Sequence, residues 1–265
     1  MPKLISSRQR WLWGAIATPL LTTILLVSTP ATALAETGLA ARLRSLFGGD
    51  QVEGQAAGRG RGGAVRGETC NAFHQIRPDA PVHDNLIALM PQANEGKTLA
   101  RYPTFWFYLP LDSSSEAVWA EFELVDKNDN SVLKEEVLLW SLPEQPGIFS
   151  VTIPTSATPL EINERYRWYF VVVCNEFDYS INPAVEGWIE RVEHEDIAQQ
   201  LGVSIDAPPE NLLSIYTDYS LWYETVSLLV NTRETQPELW AGFLDLFGLT
   251  TVDQELIVQP LVPLD

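Results

Sequence analysis

The sequence predicts a mainly β protein with helices at its end: an immunoglobulin- or fibronectin-like antiparallel β-sandwich followed by a small helical C-terminal subdomain. Three observations predict it. From Pro103 to about Arg191, short apolar or alternating runs recur between Pro, Gly, Asn and Asp, the spacing of a sandwich rather than of alternating strands and helices. After residue 193 the apolar period lengthens to that of amphipathic helices. Tyr166, six residues after Leu160 at the entrance to a long apolar run, stands where such sandwiches carry a tyrosine corner.

The strands follow in order. "PTFWFYLP" (103–110) is an aromatic strand with a proline at each end, and "AVWAEFELVD" (117–126) alternates, with Val118, Ala120, Phe122 and Leu124 on one face. "KNDN" (127–130) supplies the Asn and Asp that tight hairpins use for left-handed positions, and "SVLKEEVLLW" (131–140) is the expected return strand. "PGIFSVTIP" (146–154) is a short strand between prolines. The longest run, "ERYRWYFVVVCN" (164–175), is apolar on both faces, and "PAVEGWIERV" (183–192) follows it. One face of the long strand, Tyr166 to Val172, is expected to build the core; the other, with Tyr169, Val171 and Val173, is expected to lie under the helices. At the strand entrance the hydroxyl of the Tyr166 corner is expected to bond the backbone just upstream.

The helices come last. "HEDIAQQLG" (194–202) and the segment from Glu210 to about Tyr219 read as short helices. Trp222, Val226, Leu229 and Val230 then form a helical stripe, repeated by Leu239, Trp240, Phe243, Leu244 and Phe247. Thr235 with Glu238 has capping-box spacing, and Gly248 is placed to end the last helix.

The N-terminus carries an address. Lys3, Arg8 and Arg10 precede the apolar "WLWGAIATPLLTTILLVS", and "ALA" (33–35) is a signal-peptidase site, so export with cleavage after Ala35 is expected; the alternative is an uncleaved anchor. The expected organisation is therefore a signal peptide over 1–35, a flexible Gly-rich linker over 36–69, the sandwich over 70–193 and the helical subdomain over 194–265. The linker holds "RGRGG" and a short amphipathic piece, "GLAARLRSLFGG". The chain has 17 Lys and Arg against 35 Asp and Glu. Without the three basic residues of the signal, 14 remain against 35, a balance of about −21. Such a surface repels phosphate backbones and anionic lipid, which argues against nucleic-acid binding. In an exported chain the pair Cys70 and Cys174 reads as a disulfide, the alternative being two buried thiols. Closing about 100 residues of chain, the bridge would be worth about 4–5 kcal/mol in the loop-entropy account.

Catalytic and metal chemistry find little support. His74, His83 and His194 show no ligand spacing, no Cys-x-x-Cys pair and no G-x-S-x-G elbow occur, and a paired cysteine is no nucleophile. "DKNDN" (126–130) begins like a calcium loop, but Ser131 holds the glycine position and Val137 the final bidentate one. Glu186, Glu190, Glu193, Glu195 and Asp196 could supply the paired carboxylates of a glycosidase; a solvated acidic face, with Arg165, Arg167 and Arg191 pairing some of them, is the plainer reading. Trp106 and Tyr108 share one face of their strand. Exposed, they would stack on sugar or anchor a protein; covered, they are core.

Taken in order, "LIALMP" (86–91), "YPTFWFYLP" (102–110), "PGIFSVTIP" (146–154), "YRWYFVVVCN" (166–175), "VEGWIERV" (185–192) and "LWYETVSLL" (221–229) give this chain its resemblance. It resembles the domain of unknown function 928 family, exported proteins found mainly in cyanobacteria, from about residue 70 to the end. The resemblance implies no activity and no catalytic residues. The chain departs from the family after "VCN", where "EFDYSINP" (176–183) stands in a loop that often carries a basic residue. The expected function is an exported, non-catalytic protein-interaction module of the cell envelope, periplasmic or extracellular, with a protein partner. The alternative is a carbohydrate-binding module using Trp106 and Tyr108 on a polysaccharide, and third a glycosidase-like enzyme using the 186–196 carboxylates. No cofactor, no metal and no membrane-spanning segment in the mature chain are expected.

Overall fold

The computed structural model describes residues 86–111, 117–135, 137–193, 197, 199, 209–249 and 256–264. Ten strands and three α-helices occur among them: β1 (Ile87–Ala88), β2 (Glu95–Thr98), β3 (Thr104–Leu109), β4 (Trp119–Val125), β5 (Leu138–Ser141), β6 (Gly147–Thr152), β7 (Arg165–Val173) and β8 (Ala184–Arg191), then α1 (Pro209–Asp218), α2 (Trp222–Thr232) and α3 (Pro237–Asp245), and finally β9 (Ile257–Pro260) and β10 (Val262–Pro263). The strands form two sheets, one ordered β1-β3-β6-β9 and the other β10-β5-β4-β7-β8-β2. The chain is thus mainly β, sandwich-like, with helices toward its C-terminus.

The inner faces follow from side-chain alternation. In β7 the set Tyr166, Trp168, Phe170 and Val172 is buried, and it meets Phe105 and Phe107 of β3 across the sandwich. Phe107 stacks on Phe170 at 4.1 Å between ring centroids, and Trp168 is set edge-on to Phe105 and Phe107 at 5.7 and 5.8 Å. Tilted and edge-on rings of this kind add to the gain from burial itself. The tyrosine corner forms as expected: the backbone N–H of Glu161 donates to the Tyr166 hydroxyl at 2.9 Å. The "KNDN" hairpin also forms. Asp129 is left-handed at φ 60°, and the Asp126 carboxylate accepts from the backbone N–H groups of Asn128 and Asn130. Those two bonds hold its pKa below the usual value.

Several expectations are corrected. The sheets are mixed rather than wholly antiparallel, because β2 pairs parallel with β8 and β9 parallel with β6. The return strand expected over 131–140 is reduced to an isolated bridge at Ser131 and to β5. Between them Val132 N–H still bonds the Leu124 carbonyl of β4, while its own carbonyl accepts from Thr158 N–H. The C-terminal segment is not only helical: β9 joins one sheet and β10 the other. Thr235 does not cap α3; its hydroxyl donates back to the Thr232 carbonyl. Gly248, at φ 72°, does end that region. The helix expected over 194–202 lies mostly outside the described residues.

The helices pack elsewhere than on the Tyr169–Val173 face of β7. The first turn of α2 reaches into the sandwich on the Trp168 side. Trp222 donates to the Leu89 carbonyl at 2.9 Å, and the buried Tyr223 hydroxyl accepts from Trp168 Nε1 at 3.2 Å. This close approach requires Gly96 on β2, where a Cβ would lie 2.9 Å from both Trp222 and Tyr223 side-chain atoms. Glu224 fastens the same turn: one carboxylate oxygen accepts from Thr98 Oγ1 at 2.7 Å and Leu99 N–H at 2.8 Å. Its other oxygen is buried without a hydrogen bond, and burial pushes its pKa up.

Candidate interaction face

The outer face of the small sheet is covered at Trp106 and Tyr108 and open at its Thr104–Thr152 end. Trp106 is half-buried and its indole N–H donates to Ser227 of α2 at 3.2 Å. Tyr108 is 1% exposed, and its cross-strand neighbours Ile87 and Ile148 are equally buried. The pair therefore offers no two-ring platform to a sugar; Trp106 packs against α2 and Tyr108 is part of the core.

The outer face of the large sheet is open and falls into two halves. Over β7, β8 and β2 it carries Arg165, Arg167, Tyr169, Glu186, Trp188 and Glu95, brought together by the register of these strands. Arg165 lies over the Trp188 ring at 4.3 Å and pairs with Glu95 at 2.9 Å. Arg167 lies 4.9 Å from the Tyr169 ring centroid and pairs with Glu186 at 2.6 Å. The buried Nε atoms of both arginines make no hydrogen bond, as expected of guanidinium groups laid against rings. The expected arginine–glutamate pairing thus holds for Glu186. That carboxylate is committed to Arg167, which leaves it ill placed as a glycosidase acid or nucleophile. Arg191 is spent on structure, donating to the carbonyls of Leu99 and Leu160. Glu195 and Asp196, like His74, His83 and His194, lie outside the described residues, and so does Cys70. No free cysteine stands among the described residues.

The other half is apolar and unsatisfied. Among the described residues six large apolar side chains are exposed: Val118, Leu139, Phe177, Tyr179, Val262 and Leu264. Leu139, Val262 and Leu264 lie on this face, Tyr179 leans onto it, and Phe177 stands in the loop between β7 and β8; Val118 instead alternates with the buried Ala120 and Phe122. Leu139 sits opposite Glu121 of β4, and Val262 opposite Ser141 of β5. Leu264 N–H bonds the Leu139 carbonyl, and Val118 N–H the Val173 carbonyl. Tyr179 leans onto the sheet, its hydroxyl donating to Glu121 at 2.9 Å; the same carboxylate oxygen accepts from Trp119 Nε1 at 2.8 Å. The bond to Glu121 raises the Tyr179 pKa. At the β10 end of the stripe, a cleft of about 370 Å³ opens between Leu142, Pro143, Phe149, Ile257 and Leu261.

Phe177 is 91% exposed, and the loop that presents it is heavily braced. Asn175 Oδ1 accepts from the backbone N–H groups of Phe177 and Asp178, and Asp178 Oδ1 from Ser180 N–H and Oγ. Asn182 closes the loop, accepting from the N–H groups of Cys174 and Asn175 and donating to the Asn175 carbonyl. These are the Asx-type bonds that rigidify turns. The sequence does not single out Phe177, because "EFDYSINP" reads as a polar loop. The available signal was a phenyl ring among residues that each have a local hydrogen-bonding use.

A family model for a Domain of Unknown Function (DUF928) matches residues 61–257 of the chain. No curated protein and no solved structure matches.

Proposed function

We propose that this chain, which belongs to the Domain of Unknown Function (DUF928) family, is an exported, non-catalytic protein-interaction module of the cell envelope. One observation carries the proposal: four of the six exposed large apolar side chains, Leu139, Tyr179, Val262 and Leu264, gather on one face of one sheet, and the braced loop that carries Tyr179 also holds out Phe177. Soluble monomers scatter such residues, and a gathered patch marks a binding surface. The arginine half already pairs Arg165 with Glu95 and Arg167 with Glu186, so the apolar half is where contact with a partner gains most. Export is supported by the N-terminal basic, apolar and "ALA" segments and fits a disulfide between Cys70 and Cys174, which would tie the start of the domain to the base of the Phe177 loop.

The experiment places a photo-crosslinking residue at position 177, and in a second strain at exposed Thr152 on the other sheet, in the tagged full chain in its native cell. A single protein species captured from position 177 and not from 152 is the expected result. The same species from both positions, or none from either, would overturn the proposal.

A further inference from the structure

The surroundings of Phe177 narrow the kind of protein that fits. From them we infer that the partner offers an apolar recess for one phenyl ring, with Lys or Arg on its rim; this rests on the interaction module proposed above.

Phe177 projects as a single ring from a loop that three side chains, Asn175, Asp178 and Asn182, already hold in place. Because the loop backbone is already braced, docking the ring does not have to order the loop, and only the rotamer freedom of the Phe177 side chain is lost. The complement to one projecting ring is a hole, and the flatter stripe of Tyr179, Leu139 and Val262 meets the ground around that hole.

Charge then selects the rim. Glu176 and Asp178 flank Phe177 and are exposed, while Glu121 and Glu123 lie on the strand beneath. No Lys or Arg occurs between Arg167 and Arg191, and the whole chain carries a formal charge of −18. A basic rim is attracted to these carboxylates, whereas a second copy would oppose acidic surface to acidic surface. An anionic membrane is repelled for the same reason.

The test uses a displayed library of random 16-residue peptides, selected on the immobilised mature protein in 50 mM salt. Enriched peptides are expected to set a large apolar residue among Lys or Arg. They should lose about 30-fold in affinity on Phe177→Ala, the scale of an interface anchor, and several-fold on Glu176→Lys or in 300 mM salt. Phe177→Tyr, which keeps a ring, should retain most binding. Because the ring is exposed, none of these variants disturbs the core. Peptides that are acidic, or that bind Phe177→Ala and wild type alike, would overturn the inference, as would no enrichment at all. So would sedimentation showing a dimer sensitive to Phe177→Ala, or binding to vesicles rich in phosphatidylglycerol. Failure here with a protein still crosslinked at position 177 would refute the partner chemistry alone; loss of that crosslink refutes the module itself.

Discussion

Gly187→Ala tests the packing of the core at its tightest described point. A Cβ at position 187 would lie 2.5 Å from Trp168 Cζ2 and 2.9 Å from the Asn94 carbonyl oxygen. Neither neighbour can give way cheaply. Trp168 is fully buried, wedged between Phe105 and Phe107, and bonded to Tyr223. Asn94 is backbone, and its carbonyl accepts from Trp188 N–H at 2.8 Å. Overpacking of a filled core costs about 1–3 kcal/mol, and two simultaneous overlaps belong at the top of that range. The smaller freedom of the unfolded alanine chain returns about 0.4–1 kcal/mol. The net expectation is a loss of about 2–3 kcal/mol, a large part of a domain's usual stability. Gly242→Ala is the matched control, since nothing lies within 4 Å of its Cβ position on α3. There the helix propensity of alanine should add about 0.5–1 kcal/mol. Equilibrium urea unfolding followed by tryptophan fluorescence measures both. A Gly187→Ala midpoint equal to or above that of the wild type would refute the placement of Trp168 against β8.

Other expectations are more local. Tyr166→Phe removes the acceptor of the Glu161 N–H and should cost about 1 kcal/mol in the same assay. Glu224→Gln should change how stability depends on pH. Burial raises the Glu224 pKa above 4.5, so the folded state binds its proton more tightly than the unfolded chain does. Its contribution is full below pH 4.5 and is lost as pH rises through the raised value. Stability of the wild type relative to Glu224→Gln should therefore fall with rising pH across that window; a rising or flat difference refutes the assignment. Intact mass of the exported protein should begin at Glu36, and thiol alkylation should add nothing until a reductant is supplied. Reduction should then lower stability by up to about 4–5 kcal/mol if the linked loop spans Cys70 to Cys174.

What the sequence determined by itself was local and periodic. Alternation assigned Tyr166, Trp168, Phe170 and Val172 to one buried face, since side chains two apart must share a face whatever they pack against. The same logic placed the turn at Asp126–Asn130, the tyrosine corner and the stripe of α2, each specified by residues within a few positions of one another. The tertiary structure decided everything that joins distant segments. Whether β2 runs parallel to β8, and which sheets receive β9 and β10, depends on pairings of backbone groups that every residue carries alike. Trp106 is covered where α2 docks through Gly96, whereas Leu139 and Val262 stay exposed on the other sheet. Apolar character states that a side chain gains by being covered; only the path of the chain shows which ones this fold leaves uncovered. Phe177 is the clearest instance, a residue of core type displayed to solvent by three polar neighbours.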